Sequence, residues 1–171
     1  STTCLIPEVI EVMTDVLKNT YGNPSSTHAF GRSAKVLVET ARKSIAKQIN
    51  AQATEIVFTS CGTEGDNWVL SAAVNDLNVT RIITTKIEHH AVLHTLEILK
   101  LKNPELEIVY LDLNQNGNIN HNQLQNLLEA SDKKTLVSLM HVNNEIGTVL
   151  NLKKVGELCA YNNAYFHSDT V

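Results

Sequence analysis

The sequence predicts an α/β fold in which a mainly parallel sheet carries helices on both faces. Two observations carry that expectation. Short runs of β-branched residues alternate with longer segments whose apolar residues recur every three or four positions, and the strand-helix-strand order persists over most of the 171 residues. Strands separated by helices need crossover connections, which parallel pairing requires and hairpins do not. A third observation agrees: small and polar residues gather at the carboxyl ends of the strand runs, where sheets of this kind bind ligands.

The elements follow in order. Pro7 to Asn19 places Val9, Ile10, Met13, Val16 and Leu17 on one helical stripe, with proline tolerated at the start. Tyr21-Gly22-Asn23-Pro24-Ser25-Ser26 collects turn formers so densely that the chain must be irregular there. Arg32 to Ile49 is a long amphipathic helix through Ala34, Leu37, Val38, Ala41, Ile45 and Ile49. Beyond it, strands are expected at 55–60, 81–85, 107–113, 135–142 and 164–168. The helices between them are expected at 63–74, 90–102, 123–130 and 152–161. The asparagine-rich stretch 114–122 reads as a surface loop.

Composition narrows the function. Fourteen Lys and Arg against eighteen Asp and Glu give a formal charge of −4, the wrong sign for binding nucleic acid. Apolar runs such as 135–140 are far shorter than the roughly 20 residues of a membrane-spanning helix, and no signal-like start is present. Cys4, Cys61 and Cys159 are odd in number and scattered, which suggests neither a disulfide framework nor a zinc site and fits a reducing, cytoplasmic setting.

At the first strand end, Ser60-Cys61-Gly62-Thr63-Glu64-Gly65 leads directly into a helix. Unpaired N–H groups, a close-approach glycine and the Thr63 hydroxyl suit a phosphate. Taken alone, the segment reads equally well as a plain strand-to-helix turn capped by Thr63. Further strand ends supply Lys86-Ile87-Glu88-His89-His90, His141-Val142-Asn143-Asn144-Glu145-Ile146-Gly147 and His167-Ser168-Asp169. Each has an ordinary reading as surface, cap or turn, but together they put four polar clusters on one sheet edge.

Several of these segments, namely Tyr-Gly-Asn-Pro-Ser-Ser-Thr-His at 21–28, Glu-Ile-Val-Phe-Thr-Ser at 55–60, Thr-Glu at 63–64, Glu-His at 88–89 and His-Val-Asn-Asn-Glu-Ile-Gly at 141–147, resemble those of the cysteine desulfurases. These are class V, fold-type-I pyridoxal-phosphate enzymes, and the resemblance runs in order over almost the whole chain. It implies a pyridoxal 5'-phosphate cofactor whose phosphate is held by Gly62 and Thr63. His89 would stack on the ring and relay protons, Asn144 would bond the phenolic oxygen, and Asp169 would keep the pyridine nitrogen protonated so that the ring can act as an electron sink. Thr3 and the 21–28 loop would lie near the active site or a dimer interface. The implied reaction converts L-cysteine to L-alanine and passes sulfur to an enzyme cysteine. Iron–sulfur scaffolds or other sulfur acceptors would be the partners, and the protein would be a homodimer. A selenocysteine lyase or an aminotransferase of the same class is the alternative, or a catalytically inactive fragment or paralogue.

The departures bear on that alternative. Cys61-Gly62 stands where the family often has glycine and a small residue, and Gly65 where it often has serine. Cys61 at a helix start invites a nucleophilic reading, but the family's sulfur-accepting cysteine lies far downstream. The family's cofactor-touching glutamine and its Ser-x-His-Lys segment, whose lysine forms the Schiff base, follow the position of Val171. Lys86 matches a non-catalytic position. The chain is therefore expected to be an incomplete large domain, with residues 1–30 as N-terminal segment and loop, 31–171 as partial cofactor domain, and no C-terminal small domain. By itself it should be inactive. Two imitations carry less. Asp112 to Gln123 mimics a calcium loop with one carboxylate and no bidentate glutamate, and His90 and His94 lack a third ligand.

Overall fold

The computed structural model describes residues 3–171, which form two compact units, residues 3–58 and 59–171. The boundary expected after residue 30 falls inside a helix, because helix α2 (Ala29–Gln48) begins three residues earlier than its apolar period suggested. His28 fixes that start: its Nδ1 accepts the Gly31 N–H at 3.3 Å.

In the first unit, α1 (Pro7–Asn19) has the predicted bounds, with Pro7 in its first turn, Glu8 near its positive end and Lys18 near its negative end. The loop that follows is tightly wound. A Cβ at Gly22 would overlap the Phe30 backbone and one at Gly31 the Ser26 carbonyl, so both positions need glycine. Tyr21 stacks on Phe30 with ring centroids 5.4 Å apart.

The strand predicted at 55–60 is absent. A single 3₁₀ turn, Ala53–Glu55, occupies its start. Its apolar residues Val57 and Phe58 are exposed. β-branched residues favour extended backbone but cannot make a strand without a neighbour to complete the ladder. Instead Arg42 of α2 donates to the Ile56 carbonyl and lies 4.9 Å from the Phe58 ring centroid.

The second unit is built on a parallel sheet of β1 (Arg81–Thr84), β2 (Glu107–Tyr110), β3 (Thr135–Ser138) and β4 (Tyr165–His167) in the order β2-β1-β3-β4. The register aligns Ile83 with Val109 and Val137, and Ser138 with His167. The strands are shorter than predicted, although hydrogen bonds run past them from Leu111 N to Thr84 O, Leu139 N to His167 O and His141 N to Asp169 O. Four helices flank the sheet: α3 (Gly62–Asn75), α4 (His90–Lys102), α5 (His121–Glu129) and α6 (Leu152–Tyr161).

Successive strand residues point to opposite faces, and Ile82 and Ile83 divide the core accordingly. Ile82 and Leu136 pack with Leu70 of α3 and with Val92, Leu96 and Leu99 of α4. Ile83, Val137 and Leu139 pack with Leu124 and Leu128 of α5 and with Val155 and Cys159 of α6. Helices therefore cover both faces, as predicted. The chain leaves β1 toward β2 and later returns to place β3 on the other side of β1, so the winding reverses between β1 and β3. A crevice opens at the carboxyl ends of strands where winding reverses in this way.

Candidate active site

The residues singled out at strand ends converge on that crevice. β1, β3 and β4 are contiguous, and the chain segments leaving them carry His89, Asn144 and Asp169 in turn. His89 caps α4 by accepting the Ala91 N–H at Nδ1, 3.1 Å away, and its ring is exposed. Asn144 is exposed and its amide donates to the Glu145 carboxylate at 3.1 Å. It sits at the tip of a loop tied off by the Val142–Val149 bridge and turned at Gly147, whose φ of 72° suits glycine. Asp169 is partly buried; its backbone carbonyl accepts from His141 N at 2.8 Å and its Oδ1 from Val171 N at 3.1 Å.

The start of α3 borders the same edge, since a Cβ on Gly62 would collide with Val171 just past β4. Cys61 is the cap residue but its side chain accepts no hydrogen bond from the helix's own N–H groups, so the first N–H groups of α3 remain open to a ligand. The Thr63 hydroxyl is exposed beside them. Glu64, the one carboxylate in the first turn, folds back to accept the Ser60 N–H at 2.5 Å, and the Ser60 hydroxyl together with that N–H holds it below the usual carboxylate range. The Cys61 thiol is likewise held below its ordinary value, first by the Glu64 N–H, which approaches without reaching hydrogen-bond geometry, and then by the Ser60 hydroxyl.

A second layer of polar contacts escaped the sequence reading. Asp66 of α3, buried, pairs through Oδ1 with His167 Nε2 at 3.3 Å, and His167 Nδ1 meets the Ser138 hydroxyl at 2.9 Å. That chain ties α3, whose start is open, to β3 and to the strand that leads to Asp169. With its amide nitrogen turned toward α4, Asn67 donates to Thr63 O at 3.3 Å and Ala91 O at 3.1 Å, joining the starts of α3 and α4. Glu88 and Asn143, each one residue before a predicted contact, are buried and bridge β1 to β3. A charged or amide residue directly before an exposed partner was the only signal available for them.

Lys86 turns away from the crevice, its ammonium 5.9 Å from the Tyr110 ring on edge strand β2. Thr3 and the 21–28 loop belong to the first unit, where they are largely exposed. In the calcium-like loop, Asp112 and Gln123 satisfy each other through two hydrogen bonds of 2.8 and 2.9 Å. His90 and His94 stack with centroids 5.0 Å apart, and no group of three or more metal-ligating side chains occurs among the described residues.

The donors and acceptors suit pyridoxal phosphate. Open N–H groups and a hydroxyl match a phosphate dianion, an exposed imidazole matches a flat ring face, an amide donor matches a phenolic oxygen, and a carboxylate matches a protonated ring nitrogen.

The chain is 42% identical over its full length to the cysteine desulfurase IscS of Clostridium botulinum, 43% of which it covers. It is 40% identical to the cysteine desulfurase IscS of Methanosarcina thermophila, covering 42% of it. The chain thus spans less than half the length of these relatives. Among solved structures, a NifS-like protein superposes with a TM-score of 0.92 at 34% identity, over 99% of this chain and 47% of the other. A structure of SspA in complex with cysteine superposes with a TM-score of 0.88 at 29% identity, over 98% and 48%. The family described as Aminotransferase class-V matches residues 1–171. Matched from end to end, the chain belongs to the class-V aminotransferase family.

Proposed function

We propose that the protein carrying this chain is a pyridoxal-phosphate cysteine desulfurase, which converts L-cysteine to L-alanine and passes the sulfur to a cysteine of the enzyme as a persulfide. One observation carries the reading. An imidazole, a carboxamide and a carboxylate lie on the segments that leave three contiguous parallel strands, beside a helix whose first N–H groups are open. The cofactor, when bound, supplies an electron sink for the substrate's Cα.

The chain's own residues prepare that site. Gly62 and Thr63 hold the phosphate through backbone N–H groups and the Thr63 hydroxyl, aided by the positive end of α3. Asp169 holds a proton on the ring nitrogen, since a carboxylate close by favours the charged form. Asn144 exchanges its exposed contact with Glu145 for the phenolic oxygen. His89 has its Nδ1 occupied by the Ala91 N–H, so the neutral imidazole carries its proton on Nε2, the atom free to donate toward the ring or substrate.

By the resemblance of the sequence, the reading extends to sulfur-acceptor or iron–sulfur scaffold proteins as partners, a homodimer and a cytoplasmic location. Incubation of the full-length protein with pyridoxal phosphate and L-cysteine should yield alanine and protein-bound sulfur in equal amounts. Binding of the cofactor without alanine formation would sink the proposal, and turnover only with selenocysteine or with an amino donor and keto acid would move the protein to a sister activity. The 171-residue segment alone should give no turnover and no visible cofactor band.

A further inference from the structure

Glu88 stands between two of the proposed cofactor contacts without being one. It leaves the end of β1 immediately before His89, and only 6% of its surface is exposed. Its Oε1 accepts from the Thr85 hydroxyl at 2.6 Å and its Oε2 from the backbone N–H of Met140, beyond the end of β3, at 2.8 Å. A second strap runs the opposite way: Asn143, 4% exposed, donates through Nδ2 to the Ile87 carbonyl at 2.7 Å. The Asn143 Oδ1 accepts from Glu145 N at 2.9 Å and Ile146 N at 3.0 Å, which shapes the turn bearing Asn144. Both straps cross the place where the winding of the sheet reverses and where β1 and β3 part to feed helices on opposite faces. No backbone ladder can hold the two segments together there, so side chains do so.

We propose that Glu88 is a positioning residue: its carboxyl group, spanning the β1–β3 crevice, sets the His89 turn against the Asn143–Asn144 turn and so fixes the spacing of the ring-face and phenolic-oxygen contacts. The functional meaning of that spacing rests on the reading above; the clamp itself rests on geometry alone. A carboxylate suits the position because two donors converge on it, and a buried backbone N–H left without an acceptor is costly. Burial pushes the Glu88 carboxyl up to about 7, opposed by the bonds from Thr85 and Met140. Of the charged groups that face it from β4 and the segment after it, Asp169 raises it further and His167 lowers it. When protonated, the group keeps one oxygen for Met140 and turns its O–H to Thr85, so a glutamine can imitate that form.

The test uses the full-length protein. In the cofactor-free state, the amide proton of Met140 should show a chemical-shift inflection near pH 7. The amides of His89 and Asn144 should follow it, and the joint inflection should vanish in Glu88→Gln. In binding of pyridoxal phosphate, Glu88→Gln should stay within about threefold of the parent, whereas Glu88→Leu, which fills the space but offers no acceptor, should weaken binding roughly tenfold or more. A Met140 inflection that persists in Glu88→Gln, or a folded Glu88→Leu protein that binds the cofactor as tightly as the parent, would overturn the proposal. If Glu88→Leu does not fold, the Met140 titration in the parent and in Glu88→Gln decides. A parent protein that binds no pyridoxal phosphate would remove the functional reading while the amide titration still judged the clamp.

Discussion

Helices α1 and α4 each run thirteen residues, yet α1 buries none of its side chains while α4 buries Ala91, Val92, Thr95, Leu96 and Leu99. The difference is not one of pattern. The apolar stripe of α1 is the more one-sided, and its Val9, Ile10, Met13 and Leu17 remain exposed within a unit that offers no sheet. α4 has the sheet face of Ile82 and Leu136 to lie on. Periodicity shows which face of a helix can be buried; a second layer decides whether burial happens.

That contrast can be broken by substitution. Leu96→Ala in the α4 core should cost about 2–5 kcal/mol, read from denaturant midpoints at unchanged slope. A loss below about 1 kcal/mol would mean the core relaxes around the gap and is less well packed than its burial indicates. Next in size is the pH dependence arising from Glu88. Its folded value of about 7 lies above the ordinary glutamate value of 4.5, so its contribution to stability is fully present below pH 4.5 and is lost as pH rises through 7. The loss could reach ~3 kcal/mol, and Glu88→Gln should flatten that part of the stability profile. An unchanged profile would show that the carboxyl is solvated.

Asn120 comes third: it caps α5 by accepting the N–H groups of Asn122 and Gln123, and Asn120→Ala should cost about 1 kcal/mol while Asn120→Asp costs little. The smallest effect is expected at Leu17→Ala in α1, within about 0.5 kcal/mol for a residue 77% exposed. A loss as large as that of Leu96→Ala would show that the α1 face is covered in the full-length protein, and would sharpen the contrast into one between two layers completed by different parts of a longer chain.

The elements most legible in sequence were those fixed locally. α1 and α4 begin and end where their periods and caps predict, and the order of strands and helices after residue 80 follows from the alternation. The failure at 55–60 has a physical cause: Glu55 to Ser60 has strand-like residues, but whether they pair depends on a neighbour that local pattern cannot reveal. The same division holds at the site. The segments bearing His89, Asn144 and Asp169 could be assigned to the sheet's carboxyl edge because strand ends are visible in sequence. Glu88 could not be given its role, since its acceptor geometry depends on Met140, fifty-two residues away, nor could Asn143, which reaches back fifty-six residues to Ile87. The Asp66–His167–Ser138 chain joins three elements and has no local signature at all.

The placement of the cofactor is tested most directly by a crystal structure of the full-length protein grown with pyridoxal phosphate. The expected density puts the phosphate within about 3 Å of the Thr63 N–H and hydroxyl, the ring nitrogen at hydrogen-bond distance from Asp169, and the His89 imidazole over the ring. Cofactor density elsewhere, with the carboxyl edge of β1, β3 and β4 empty, would contradict the account.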